Sequence, residues 1–202
     1  MKKLLLLLFV SALFQLNAQE FEVRKLVIEE GSNASKGTFE YMKPIMVLEV
    51  EGTSTEIYNK AINWVNVTYK NPEEVIKGKV EGDYLRLDGF KSDLTQMSVI
   101  GMTYYYDVRY TLKLNFKDGR FKYQITNMEW YSPSSQYSTG GWFNLMTDGE
   151  VGYKTANRKG KAKKNGVANF NAIKSYFENL GLGIKDYMEK TDASKSKTDD
   201  DW

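Results

Sequence analysis

Tyr110-Thr111-Leu112-Lys113-Leu114-Asn115-Phe116-Lys117-Asp118-Gly119-Arg120-Phe121-Lys122-Tyr123-Gln124-Ile125-Thr126-Asn127 alternates large apolar and polar side chains on either side of Asp118-Gly119. Asp-Gly accepts the positive φ angles of a two-residue type I′ turn, and such a turn sets the register of the strands it joins. Lys117 then faces Arg120, Phe116 faces Phe121, Leu114 faces Tyr123, Leu112 faces Ile125 and Tyr110 faces Asn127. Successive pairs fall on opposite faces. The Phe116, Leu114 and Leu112 pairs make one face apolar, whereas Asn115 with Lys122, Lys113 with Gln124 and Thr111 with Thr126 make the other polar. One face is core and the other wet, and a slip of one residue would carry the large side chains into water.

Working upstream, the strongest helix signal lies between Thr53 and Tyr69. Thr53 with Glu56 three residues on is a capping box, in which each side chain satisfies a backbone donor of the other. Ile57, Tyr58, Ala61, Ile62, Trp64, Val65 and Tyr69 recur at steps of three and four, giving one broad apolar face. Asn71-Pro72-Glu73-Glu74 restarts the pattern after a bend, predicting a short second helix that ends near Gly78. Before Thr53, strands are expected from Phe21 to Ile28 and from Ile45 to Val50, with Gly31 to Gly37 as a flexible loop between them. After Gly78, two weaker strands are expected, Tyr84 to Leu87 and Met97 to Ile100.

Downstream, residues 132–166 are dense in Ser, Gly, Asn and Lys with no sustained period, and read as a long loop insertion. The helical period returns from Val167 through Phe170, Ile173, Phe177 and Leu180, with a break expected at Gly181-Leu182-Gly183. Residues 191–202 read as a disordered tail.

Residues 1–19 have the form of a secretory signal peptide: Lys2 and Lys3, an apolar run from Leu4, and small Ala18 before a cut near Ala18 or Gln19. The expected location is therefore periplasmic or secreted. The 28 Lys and Arg residues, less Lys2 and Lys3, equal the 26 Asp and Glu, so the mature chain carries no overall positive field to favour nucleic acid. No second apolar stretch approaches the roughly 20 residues of a membrane span. Histidine and cysteine are absent, which removes disulfides, a lipid anchor at the cut, the common zinc and haem ligands, and the usual nucleophile and base pairs. No cofactor, metal or catalytic residue is assigned.

Ile57-Tyr58-Asn59-Lys60-Ala61 with Asn63-Trp64, then Tyr69 to Ile76, and later Tyr110-Thr111-Leu112 leading into Lys117 to Phe121, resemble an exported Bacteroidetes family that carries a domain of unknown function with a TBP-like fold. The resemblance covers about residues 45–130 and, more loosely, the helix after Val167. It implies an α+β fold of strand, helix, four antiparallel strands and helix, with both helices on one side of a curved sheet. The extra N-terminal strand and the 132–166 insertion are additions to it. The family brings no catalytic residues, and a fold does not carry a function.

Five aromatics around the insertion, Trp130, Tyr131, Tyr137, Trp142 and Phe143, can stack on sugars or anchor a protein partner, although packing of the insertion on the sheet is the plainer reading. Arg158, Lys159, Lys161, Lys163 and Lys164 form a local basic cluster suited to phosphates, acidic glycans or an acidic partner, and equally to a solvated loop. Tyr104, Tyr105 and Tyr106 put rings on both faces of a strand. Glu49 and Glu51, two apart on an expected strand, share a face in the way that can raise one pKa for general-acid work, though a solvated strand face explains them as well. Asp199, Asp200 and Asp201 lack the spacing of a calcium loop.

These readings converge on a single α+β domain over residues 20–190, a non-catalytic binding module of the cell envelope that meets an envelope protein or a glycan through its wet sheet face or the 132–166 insertion. The alternatives are a carboxylate-dependent hydrolase and a structural subunit of an envelope assembly.

Overall fold

The computed structural model describes residues 20–32, 35–134 and 139–195, with side chains to Lys190. The expected signal peptide, Tyr137 and Asp199 to Asp201 lie outside the described residues. The Asp118-Gly119 hairpin forms the centre of a six-stranded antiparallel sheet. Its arms are β6 (Met102–Lys117) and β7 (Arg120–Ser132), flanked by β3 (Ile45–Glu49), β5 (Tyr84–Val99) and β4 (Ile76–Val80) in the order β3-β7-β6-β5-β4, with the sixth strand, β8 (Gly141–Asn144), also paired to β7. The register agrees from Lys117↔Arg120 to Leu112↔Ile125. Beyond that a bulge shifts it, so Tyr110 faces Met128 rather than Asn127, and Thr111 faces Asn127 rather than Thr126. The extra residue keeps Met128, which is fully buried, on the core face where strict alternation would have put polar Asn127.

The turn itself differs from the type I′ expectation. Gly119 has a φ of 76° but Asp118 keeps a negative φ. Its side chain is occupied elsewhere: Ser54 N–H donates to Asp118 Oδ1 at 2.8 Å. Gly119 N–H donates to the Gly52 carbonyl at 2.9 Å and Val50 N–H to the Gly119 carbonyl at 3.1 Å. The hairpin tip is thus tied to the loop that starts the first helix.

That helix, α1 (Ser54–Thr68), begins on the expected capping box. Thr53 N–H donates to Glu56 Oε2 at 2.7 Å, and Glu56 N–H to Thr53 Oγ1 at 3.3 Å. Ile57, Tyr58, Ala61, Trp64 and Val65 are buried against the sheet. After α2 (Pro72–Val75) the chain turns directly into β4 at Ile76, so the second helix stops short of Gly78 and the residues around Gly78 are an edge strand. The two weak strands after it are one, β5, interrupted by a bulge between Lys91 and Thr95.

The 132–166 segment is not a loop. It forms β8 (Gly141–Asn144), which pairs with β7, then β9 (Met146–Thr147) and β10 (Glu150–Asn157). β10 joins β1 (Glu22–Ile28) and β2 (Gly37–Lys43) in a second antiparallel sheet, β1-β2-β10-β9. β2 begins at Gly37, where a loop was expected to end. Sequence periodicity misses β2 and β10 because they pair with each other more than a hundred residues apart, as in Met42↔Val151, and each buries only one or two side chains.

α3 (Lys164–Lys195) runs unbroken through Gly181 and Gly183. Its buried stripe is Phe170, Ile173, Phe177, Gly181, Ile184 and Met188, a helical period with a glycine in it. A Cβ at Gly181 would stand 2.4 Å from Met46 Cε and 3.4 Å from the Tyr123 ring, so the glycine lets the helix lie close on the sheet. The backbone continues as helix to Lys195, into the stretch expected to be disordered.

The core lies between the helices and the inner sheet face, where Met46, Leu48, Leu85, Leu87, Leu112, Leu114, Phe121, Tyr123 and Ile125 are buried. α1 and α3 cover that one face, and α3 also packs on β10. The other face of the six-stranded sheet is open.

Candidate functional site

The open face is built by the residues that alternate with the core set. Because Leu85, Leu87 and Gly89 point inward, Tyr84, Arg86, Asp88 and Phe90 of β5 point out. By the same alternation β6 offers Arg109, Thr111, Lys113 and Asn115, and β7 offers Lys122, Gln124, Glu129 and Tyr131.

One end of this face is aromatic. β8 pairs with β7 as Tyr131↔Trp142, so both rings stand on the open side, 5.3 Å apart. Phe90, two strands away, meets Trp142 edge to face at 6.4 Å. The Arg109 guanidinium lies over the Trp142 ring at 4.5 Å, while its Nε donates to Glu129 Oε2 at 2.7 Å. That hydrogen bond holds the Glu129 carboxyl below the usual carboxylate range and raises Arg109. Asn127 Nδ2 donates to the same oxygen at 3.4 Å, and Thr111 Oγ1 donates to Asp88 Oδ1 at 2.8 Å. Phe90 is 57 % exposed, so this braced group of rings presents an apolar surface to water.

The other end is basic. A hollow of about 480 Å³ is lined by Lys113, Lys117, Arg120 and Lys122, with Asp83, Asn115, Val47 and Phe116. The two ends share β6 and β7, so a chain lying along the sheet would meet rings first and cations next.

The structure disperses the residues singled out from the sequence. Tyr131 and Trp142 sit on the open face. Trp130 and Phe143, their neighbours in the chain, sit on the opposite face, where Trp130 packs edge to face on Tyr106 at 5.0 Å and lies 5.9 Å from Phe143. Arg158, Lys159, Lys161, Lys163 and Lys164 are exposed in the connection from β10 to α3, away from the open face. That connection is built: Asn157 Oδ1 accepts from Lys159 N–H at 2.9 Å and from Lys161 N–H at 3.1 Å.

Glu49 and Glu51 do not share a strand face, because β3 ends at Glu49. Glu49 lies opposite Arg120 in the register, and Glu51 is exposed in the loop to α1, its carbonyl accepting from Lys60 Nζ at 3.0 Å. Phe90 and Arg109 were missed from the sequence. Alternation alone would have placed them on the wet face, but nothing local says that Trp142 folds back over them.

Residues 46–131 match the model of a domain of unknown function (DUF4468) with TBP-like fold. The crystal structure of a DUF4468 family protein from Bacteroides ovatus is similar, with 11% identity and a TM-score of 0.52 over 71% of this chain and 85% of that chain. That of a TBP-like protein from Parabacteroides distasonis gives 13% identity and a TM-score of 0.46 over 71% of this chain and 90% of that one. No curated protein matches. Among the described residues no helix is long and apolar enough to cross a membrane, which leaves strands unaddressed. The chain is thus similar to the DUF4468 domain over residues 46–131, and its fold there is TBP-like.

Proposed function

We infer that this protein is a non-catalytic binding module of the cell envelope, and that its ligand is an acidic glycan held on the open face of the six-stranded sheet. The observation that carries this reading is the sequence of surfaces along that face: the Phe90, Trp142 and Tyr131 rings, braced by Arg109, followed by the hollow lined with Lys113, Lys117, Arg120 and Lys122. Rings offer flat apolar area to sugar faces at little entropic cost, and a cluster of cations favours a polymer bearing carboxylate or sulfate groups. Export rests on residues 1–19 of the sequence.

The test is binding of the chain from Glu20 onward to immobilised uronic-acid and sulfated polysaccharides, with neutral polysaccharides alongside. Wild type should prefer the acidic polymers. Phe90→Ala and Trp142→Ala should each weaken binding roughly tenfold, the size of an aromatic contact at a hot spot. Lys113→Ser with Lys122→Ser should remove the preference for acidic over neutral polymer. Equal binding by wild type and all variants would refute the reading.

A further inference from the structure

The hairpin joining β5 to β6 projects past the sheet, and it is built unlike the rest of the surface. From Leu94 to Tyr106 there is no charged side chain. The bounding acids, Asp93 and Asp107, are joined at its root, where Asp93 N–H donates to Asp107 Oδ1 at 3.1 Å. Met97 pairs with Tyr104 and Val99 with Met102, which puts all four on one face, and each is at least 41 % exposed. Ile100 at the tip is 95 % exposed.

The turn is made by Ile100 and Gly101 with φ of 47° and 80°. Both central residues of a mirror-image turn take positive φ, a position that Asn or Gly fills at least cost and that strains a β-branched side chain. An isoleucine there is unfavourable for folding and for solubility at once, so its value lies in contact with something else.

A second feature stands beside it. Asn165 of α3 accepts from Ser98 N–H through Oδ1 at 3.1 Å and donates to the Ser98 carbonyl through Nδ2 at 3.4 Å. This bond pins the start of α3 to the outer edge of the hairpin. Lys163 and Lys164 immediately precede Asn165, and the ordered turn with Arg158, Lys159 and Lys161 leads into them, all exposed. An uncharged apolar tip ringed by tyrosines is thereby set next to a patch of cations.

We propose that the β5–β6 hairpin and the adjoining 158–164 turn form a docking surface for an anionic lipid bilayer, the tip entering the headgroup region while the basic side chains meet lipid phosphates. Apolar insertion and a polybasic patch are the two signals that together give stable peripheral attachment. Tyr104, Tyr105 and Tyr106 behind the tip are of the type enriched at the membrane–water boundary. A protein partner fits less well. A ribbon two strands wide offers few side chains against the roughly 20–30 residues a side of a stable interface. The adjoining 158–164 turn carries cations and no acid, which suits an anionic surface and repels a second copy.

The test uses the chain from Glu20 onward, which holds every described strand and helix and omits the apolar leader that would itself bind lipid. Flotation is measured with vesicles of phosphatidylcholine mixed with phosphatidylglycerol and with phosphatidylcholine alone. Wild type should float with the anionic vesicles. Ile100→Asp should weaken that partition by about tenfold or more, the ratio expected for withdrawing one isoleucine from an apolar phase. Aspartate tolerates left-handed φ better than isoleucine, so an unchanged thermal midpoint shows that the loss is not unfolding. Lys159→Ser, Lys161→Ser and Lys164→Ser together should weaken partition into anionic vesicles by about a hundredfold and reduce its salt dependence.

Trp142→Ala should float like wild type, which separates this surface from the open-face site. Absence of wild-type flotation, or equal flotation of wild type and Ile100→Asp, would overturn the proposal. So would a wild-type dimer that Ile100→Asp converts to monomer without any vesicle binding.

Discussion

Asn169 of α3 holds Gln96 of β5 as a neighbouring strand would: its Oδ1 accepts from Gln96 N–H at 2.7 Å and its Nδ2 donates to the Gln96 carbonyl at 2.9 Å. Asn165 does the same for Ser98, so two side chains one helical turn apart cover alternate residues of a strand edge. The spacing works because a helical turn rises about 5.4 Å and two strand residues span about 6.6 Å. An exposed edge is a template for pairing with other chains, and here a helix covers it with amides.

Asn169→Ala leaves a part-buried N–H and carbonyl of Gln96 without their partners. The expected loss is about 1–2 kcal/mol, seen as a lower urea midpoint at unchanged slope. Faster aggregation on partial unfolding should accompany it. A variant as stable as wild type would mean that water serves this edge equally well.

Asp118 links the central hairpin to the start of α1 through the Ser54 N–H. Asp118→Ala should cost about 1 kcal/mol, the size of a lost helix cap, while Asp118→Asn, which keeps an acceptor, should cost less. Chemical denaturation of both variants decides it. Equal losses would point to the charge rather than the bond.

A Cβ at Gly89 would stand 2.3 Å from the Tyr110 ring, which lies across the glycine and packs edge to face on Phe177 at 4.8 Å. A ring in that position has nowhere to retreat. Gly89→Ala is expected to cost about 2–3 kcal/mol by overpacking, and to cost markedly less in a Tyr110→Leu background. Additive losses in the double-mutant cycle would contradict the contact.

Tyr123 is fully buried, and its hydroxyl has no hydrogen-bond partner among the described residues. Tyr123→Phe removes a desolvated polar atom and keeps the ring, so it should raise stability by about 1 kcal/mol. A loss of that size instead would reveal a partner for the hydroxyl.

Burial pushes the phenols of Tyr110, Tyr123 and Tyr153 above their ordinary value near 10. The fold disfavours each phenolate, whereas the unfolded chain ionises at its ordinary pKa. Stability is therefore unaffected below about pH 10 and falls as pH rises above it toward the folded-state values, by up to about 1.4 kcal/mol per pH unit for each group. Thermal midpoints from pH 9 to 11.5 should show this decline, shallower in Tyr123→Phe. A flat profile would show that these rings reach solvent.

Much of the fold follows from patterns that local chemistry enforces. The alternation across Asp118-Gly119 set which side chains of β6 and β7 face the core, and Thr53 with Glu56 set where α1 starts. Both are decided by contacts within a few residues or directly across one turn. The candidate site was legible only in part. Tyr131 and Trp142 stood out as aromatics, but their meeting with Phe90 and Arg109 depends on β8 folding back along β7.

The amino-acid order by itself determined the strand faces, the helix start and the family resemblance, since each rests on spacing along the chain. Tertiary structure alone decided the rest. Gly181 and Gly183 look like a helix break, yet α3 continues because the sheet takes up the space a side chain would need at Gly181. The bulge after Leu112 exists because Met128 gains more from the core than Asn127 would. β2 and β10 become strands only when brought together, because a backbone hydrogen bond between residues a hundred positions apart leaves no mark on either segment alone.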